Sequence, residues 1–125
     1  MDRRSRVVLF LELMKLTARS RFVFVGRRKN LDTLAMLGMT REHAQSLVLG
    51  LTPDNYVGGP DADHNHPGLD VWVFGLGDSG HEVYVKLQVI PDPAACLCVS
   101  FHESERPLHY PLREAQPPES EESQQ

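Results

Sequence analysis

Two stretches of alternating polar and apolar residues carry side chains that can move protons. One contains Tyr84 and Lys86, and the other contains Ser100 and His102. Residues two apart in a β-strand point to the same side of the sheet. An imidazole and a phenol can transfer protons, and a lysine can hold a phosphate as a point charge. This set predicts chemistry on RNA, whose own 2′-hydroxyl is the nucleophile, so that cleavage needs no metal and no other cofactor.

The apolar residues that alternate with this set predict how the two strands pair. Burying one shared apolar face requires an antiparallel register in which paired residue numbers have an even sum. A sum of 186 fits the intervening turn best. The pairs in that register are Tyr84–His102, Val85–Phe101, Lys86–Ser100 and Leu87–Val99.

A preceding strand is predicted to place an aromatic ring beside these residues. If the numbers of paired residues in this strand and in the strand of Tyr84 add up to 156, Trp72 lies opposite Tyr84. The row Trp72–Tyr84–His102 then crosses one polar face, on which directly opposed Cβ atoms are about 4.5–5.5 Å apart. Trp72 is predicted to stack on a base of the substrate. Because an unpaired buried lysine is costly, Lys86 favours a face open to solvent over one covered by a helix.

The sequence pattern predicts that this face belongs to an α+β domain of residues 1–113, in which N-terminal helices pack on the sheet. Apolar spacing predicts helices over 4–17, 31–37 and 41–49. Asn30 and Thr40 are the predicted N-caps of the second and third helices, and residues 57–68, rich in glycine and proline, are predicted to be a loop. The predicted strands are 21–25, followed by an antiparallel β-meander of 70–74, 82–90 and 96–103. The polar, acidic residues 114–125 are predicted to be a disordered tail.

The formal net charge of −4 conceals a basic N-terminal segment. Residues 1–29 contain nine basic and two acidic residues, and the segment ends in Arg27, Arg28 and Lys29. A basic segment on an acidic protein is a candidate contact for RNA phosphates or for an acidic partner. The alternative is a solvated helix face whose charge pairs with the acidic middle of the chain.

The apolar segments predict a cytoplasmic protein that does not contact membranes. No apolar run approaches the roughly 20 residues of a transmembrane helix. Glu12 and Lys15 interrupt the N-terminal apolar stretch too early for a signal peptide. Cys96 and Cys98 lie two apart in a predicted strand, so we expect packed thiols rather than a disulfide or a metal site.

Three stretches of the C-terminal half carry a resemblance to a known family. They are HEVYVKLQV (81–89), CLCVSFHESERPLHYP (96–111), and the loop that runs from Gly59-Pro60 through Asp63 and Pro67-Gly68 to Val71-Trp72. Together they resemble the motility quorum-sensing regulator (MqsR) family of type II toxins, over about residues 45–111. The resemblance implies a RelE-like microbial ribonuclease fold and metal-independent cleavage of mRNA. It also implies a cognate antitoxin partner, either a zinc-binding or a helix-turn-helix protein.

The resemblance also assigns residues. The tyrosine of the family's VYxK strand is Tyr84, and the basic residue after SF, a lysine in the best-known members, is His102 here. The predicted catalytic residues are thus His102, Tyr84 and Lys86. The chain departs from the better-known branch at Val57, where that branch has a lysine, and at Val73, where it has a glutamine. A catalytic histidine predicts activity that changes between about pH 5.5 and 7.5.

Further substrate contacts are predicted from the loop, the last helix and the C-terminus. They are Tyr56, His64, His66 and His109, and Ser100 on the sheet face is predicted to contact the substrate as well. Two other functions stay open. In the first, two carboxylates and two imidazoles of the loop 61–66 hold zinc or manganese in a metal-dependent hydrolase, although such spacings are common by chance in solvated loops. In the second, the basic segment and the sheet face form a non-catalytic module that binds nucleic acid or protein.

Overall fold

Three helices precede most of the sheet in residues 1–113, which are the residues that this computed structural model describes. The helices are α1 (Arg3–Ser20), α2 (Arg28–Leu37) and α3 (Arg41–Leu49), and one 3-10 turn covers Pro53–Asn55. The strands are β1 (Phe22–Phe24), β2 (Tyr56–Ala62), β3 (Asp70–Asp78), β4 (His81–Pro91) and β5 (Ala94–Glu103). The predicted α+β class is confirmed. The predicted disordered tail, residues 114–125, lies outside the described residues.

The strands form one mixed sheet in the order β1-β5-β4-β3-β2. The strands β2 to β5 pair in antiparallel fashion with their neighbours in the chain, so the predicted meander is confirmed. The short strand β1 instead runs parallel to β5, with Val23 opposite Leu97. The sheet is therefore mixed, and the predicted antiparallel meander does not extend to β1. The edge of β5 would otherwise present unpaired backbone groups, and the N–H of Val25 donates to the Cys98 carbonyl there at 3.0 Å.

The region predicted as a loop over 57–68 is partly a strand. Its first half forms β2 at the edge of the sheet, with irregular register against β3. Pro60 is tolerated because an edge strand has one side without a ladder partner. Gly59 has a φ of 99°, and a Cβ there would lie 2.7 Å from the carbonyl oxygen of Val71. Gly59 and Pro60 therefore belong to an edge strand that lies close to β3, and they do not indicate a loop here.

The core lies between one face of the sheet and the helices. Helix α1 turns Val7, Leu11 and Met14 inward, and these residues join Val85 and Phe101 of the sheet in one buried cluster. No helix within residues 1–113 combines the length and apolar character needed to cross a lipid bilayer.

Both cysteines belong to this core, which confirms the prediction of packed thiols. Cys96 and Cys98 are fully buried and unpaired. Burial raises the pKa of the Cys96 thiol to about 12 and moves the pKa of Cys98 upward as well. Both groups therefore stay protonated and unreactive at neutral pH.

The helix starts follow the predictions at one of two positions. Thr40 caps α3 as predicted, since its Oγ1 accepts the backbone N–H of His43 at 3.0 Å. Helix α2 begins earlier than predicted, with Arg27 as an N-cap residue that makes no side-chain cap. Asn30 lies inside α2 and is completely buried. Its assignment as an N-cap is therefore wrong, and its amide is used elsewhere.

Residues 104–113, the C-terminal strap, cross the sheet face opposite the helices. The N–H of Leu108 donates to Oε1 of Glu82 at 2.9 Å, and the Tyr110 hydroxyl donates to Oε2 at 2.6 Å. Gly75 makes room for this crossing, because a Cβ there would overlap the Tyr110 ring. Burial and the bond to Glu82 raise the pKa of Tyr110 to about 12, so its hydroxyl remains a donor. The strap therefore covers this face near β3.

Candidate functional site

Strands β4 and β5 bring four of the predicted residues together on the face opposite the helices. Tyr84 pairs with His102 and Lys86 pairs with Ser100, as the predicted register requires. The rings of Tyr84 and His102 stack, with centroids 5.3 Å apart and an interplanar angle of 17°. Ser100 is buried, whereas the other three side chains are half-buried. We call these four residues the β4–β5 patch.

A β-bulge in β5 decides which side chains reach this patch. Leu87 pairs with Cys98 and not with its predicted partner Val99, which is therefore an extra residue on β5. The bulge reverses the alternation, so that Ser100 and His102 face away from the core. A regular strand continuing from the buried Cys98 would turn both of them into the core.

Asn30, in the first turn of α2, holds this bulge. Its side-chain nitrogen donates to the carbonyl of Val25 at 2.8 Å and to that of Val99 at 3.1 Å. Its side-chain oxygen accepts the backbone N–H of Phe101 at 2.9 Å. One buried amide thus joins α2 to the residue after β1 and to both sides of the bulge. This role of Asn30 could not be predicted, because a sequence pattern does not reveal a distant backbone partner.

The first turn of α2 forms one wall of a groove above the β4–β5 patch. This basic groove has a volume of about 650 Å³. Its lining residues are Arg27, Arg28, Lys29, Asn30, Tyr84, Lys86, Ser100, His102, Ser104, Glu105, Arg106 and Leu108. The three basic residues predicted to contact substrate therefore lie beside the predicted catalytic residues. Arg106, on the strap, adds a further positive charge that was not predicted.

The positive charges of the groove have little acidic compensation within residues 1–113. Lys29 lies 3.9 Å from Glu105, and this is the sole ion pair of a groove residue in that part of the chain. Arg27 donates to the hydroxyl of Ser100 at 3.5 Å. The first turn of α2 contains no acidic residue, so the positive end of its dipole adds to the side-chain charges. The groove therefore suits an anion such as a phosphodiester.

The surroundings of Tyr84 and His102 favour a proton donor at the first residue and a proton acceptor at the second. Burial, with the negative charge of Asp61 as a smaller cause, raises the pKa of Tyr84, so its phenol stays protonated. Nδ1 of His102 lies 3.1 Å from the carbonyl oxygen of Glu103. A carbonyl can only accept, so Nδ1 carries the hydrogen in the neutral ring. Nε2 then keeps the lone pair that can accept a proton.

Trp72 does not lie on this face, so the predicted row Trp72–Tyr84–His102 is wrong. Strand β3 is shifted against β4, which places Trp72 opposite Leu87 and Gly75 opposite Tyr84. Trp72 faces the core, where its ring stacks on Phe10 with centroids 4.6 Å apart. Burying a large aromatic surface in this way stabilises the fold, and it removes Trp72 from the groove.

Two other predicted contacts also lie outside the basic groove. Tyr56 is only 4% exposed, and its hydroxyl donates to the carbonyl of Gly59 at 2.5 Å. It packs edge-on against Trp72 and therefore supports the core. His109 is exposed on the strap and does not line the groove.

The turn between β2 and β3 borders a second groove next to the first. This groove measures about 390 Å³, and His64 and His66 line it. Arg27 and Lys86 belong to both grooves. The two loop histidines therefore stand near the basic groove without lining it.

Asp63 fixes this turn to the sheet. Its Oδ2 accepts from Nε2 of the buried Gln88 at 2.9 Å and lies 3.0 Å from Nδ1 of His66. The bond from Gln88, followed by the bonds from the Asn65 backbone and from His66, lowers the pKa of Asp63 to about 2. Across residues 1–113, no three His, Cys, Asp or Glu side chains are grouped to hold a metal ion. The described part of the loop thus gives no support to the metal-dependent hydrolase.

Comparisons of the chain with models of protein families, with curated proteins and with solved structures find no match.

Proposed function

We propose that this chain is a metal-independent endoribonuclease, the toxin of a type II toxin–antitoxin pair that resembles the MqsR family and has a RelE-like ribonuclease fold. It would act on mRNA in the cytoplasm and be held in check by an antitoxin protein. One observation carries the proposal: Tyr84 and His102 stack beside Lys86 on the floor of a groove rich in basic residues. An acid, a base and phosphate-binding charges are the groups that RNA cleavage needs.

The proposed reaction uses the 2′-hydroxyl of RNA as its nucleophile. Nε2 of His102 takes the hydroxyl proton while the 2′-oxygen forms a bond to phosphorus. The bond from phosphorus to the 5′-oxygen breaks, and Tyr84 gives that oxygen a proton. Lys86 and Arg27 stabilise the charge on the non-bridging oxygens. The products are a 2′,3′-cyclic phosphate and a 5′-hydroxyl.

The purified chain is therefore expected to cleave a single-stranded RNA in the presence of EDTA. A matched RNA with one 2′-deoxy sugar at the cleaved position should resist cleavage there, because it lacks the nucleophile. Mass spectrometry of the fragments checks the cyclic phosphate. In bacteria, induced expression should arrest growth and shorten transcripts, and coexpression of the cognate antitoxin should restore growth. Stable RNA under these conditions, with tight binding retained, would indicate a non-catalytic RNA-binding module instead.

The basic first turn of α2 is expected to supply salt-dependent affinity. Replacing Arg27, Arg28 and Lys29 with glutamine should flatten the plot of log binding constant against log salt by about 0.7 for each single-strand phosphate that the variant ceases to neutralise. The measurement is fluorescence anisotropy with a labelled RNA across a salt series.

A control variant with the same change in net charge separates local contact from overall attraction. Arg3→Gln, Lys15→Gln and Arg19→Gln together remove three charges from α1, whose residues do not line the basic groove. This variant should keep a slope close to that of the wild type. An equal change of slope in both variants would remove the α2 turn from the binding site.

A further inference from the structure

The outward side of α1 carries an apolar stripe. Leu9, Leu13 and Leu16 are 56%, 48% and 57% exposed. Their i, i+4, i+7 spacing places them along one side of the helix. Helix α1 also packs Val7 and Met14 into the core, so it is apolar on two sides although only one of them is buried. An apolar patch of this kind on a folded domain commonly marks an interaction site.

A groove beside this stripe gives the patch a concave shape. It has a volume of about 630 Å³ and lies between α1 and the adjoining ends of β3 and β4. Its lining includes the large apolar residues Leu9, Phe10, Leu13, Leu69, Trp72 and Val89. A flat bilayer surface fits such a cleft poorly, whereas the projecting side chains of a helix fill one well.

The charges of α1 indicate which kind of protein can bind along the stripe. Helix α1 carries five basic residues and one acidic residue, Glu12, and its Arg6 lines the groove together with Asp70 of β3. A second copy of the chain would set two basic helices against each other, which is unfavourable. Residues 114–125 have the complementary acidic charge, but they contain no leucine, isoleucine, valine, methionine or aromatic residue to fill the cleft. The fitting occupant therefore combines acidic and large apolar side chains.

We propose that the α1 groove binds an acidic amphipathic helix of a partner protein, with the partner's apolar residues in the cleft and its carboxylates on the α1 bases. This site lies on the opposite face of the sheet from Tyr84 and His102. The proposal therefore stands independently of the ribonuclease chemistry, and a partner bound here leaves the basic groove uncovered.

Synthetic helical peptides test the proposal with the full chain. The probe carries leucines at i, i+4 and i+7 and glutamates on the other face, and its controls are a scrambled sequence and a version with lysine in place of glutamate. Isothermal titration calorimetry should show binding of the acidic amphipathic peptide alone. The double variant Leu9→Ser, Leu13→Ser should weaken binding by at least about tenfold, because less apolar surface is buried in the complex. The matched variant Leu31→Ser, Met36→Ser changes exposed residues of α2 and should bind like the wild type.

Other outcomes would overturn the proposal. Equal binding of the scrambled or lysine peptides would remove the specificity that the cleft and its charges imply, and no binding of any peptide would remove the site. Sedimentation that shows a dimer in the wild type and a monomer in the Leu9, Leu13 variant would assign the face to a second copy. Flotation with phosphatidylglycerol vesicles that disappears in the same variant would assign it to a lipid surface. RNA cleavage by this variant tests the ribonuclease separately and should equal that of the wild type.

Discussion

Replacing His102 with alanine is expected to lower the rate of RNA cleavage by about 10²- to 10⁴-fold, the usual contribution of a general acid–base group. Its Nε2 is the acceptor that the hydrogen bond from Nδ1 to Glu103 leaves available. The fold should survive, because the ring lies on the open face and its loss removes little apolar contact from the core. Single-turnover cleavage of a short RNA by both proteins, measured at several pH values around neutrality, provides the test.

His81 provides the matched control for this experiment. It is a partly exposed histidine at the start of β4, where Nδ1 lies 2.7 Å from Oε2 of Glu103, and it does not line the basic groove. His81→Ala should cleave RNA at nearly the wild-type rate. If His102→Ala had an unchanged melting curve and cleaved as fast as the wild type, His102 would be structural only, and the site assignment would be wrong.

Replacing Asn30 with alanine is expected to destabilise the protein by about 2–4 kcal/mol, because it leaves buried backbone groups without partners. The substitution removes the bond from α2 to the carbonyl of Val25 and the two bonds from α2 to Val99 and Phe101 at the bulge in β5. Urea unfolding followed by circular dichroism gives the free energy of unfolding. Cleavage per folded molecule should fall as well, because the bulge sets the direction of His102.

An exposed asparagine shows whether this loss of stability comes from the buried amide. Asn65 lies in the turn before β3, and its side chain is exposed. Asn65→Ala should change the free energy of unfolding by less than about 0.5 kcal/mol, as surface substitutions usually do. A similarly small change for Asn30→Ala would contradict its role as the link between α2 and β5.

The pairing of β4 with β5 could be predicted around the site because alternating apolar residues constrain it. A strand cannot slip by one residue without exposing its buried side chains, and this rule gave the correct partners of Tyr84 and Lys86. It failed at Leu87, because strict alternation contains no information about a bulge. The bulge is stabilised by Asn30, a residue far away in sequence, so only the folded chain reveals it.

The position of Trp72 was mispredicted because the turn between β3 and β4 was taken to be long. The strands continue to Asp78 and His81, and only Ser79 and Gly80 form the turn, both with positive φ. A two-residue turn of this kind is the commonest hairpin connection. Placing it at Ser79 and Gly80 would have given the observed register, with Trp72 on the core side of the sheet. The signal was therefore present in the sequence, but glycines within β3 obscured it.

The basic wall of the groove could be predicted in composition but not in position. Arg27, Arg28 and Lys29 stood out as a charged run in the sequence. Their distance from the β4–β5 patch depends on the parallel contact of β1 with β5, which joins segments far apart in the chain. Arg106 reaches the groove through the path of the strap, for which the sequence offers no periodic pattern.

The sheet is completed only after β5, its last strand in chain order, has been synthesised. Strand β1 has a single neighbour, β5, and Phe22 pairs there with Cys96. At about 5–20 residues per second, the first of these residues waits roughly 4–15 s for the second to be made. The same late strand supplies Ser100 and His102. A nascent chain that does not yet include β5 therefore lacks the proposed means of cutting RNA, and a fragment that ends before β5 never acquires it.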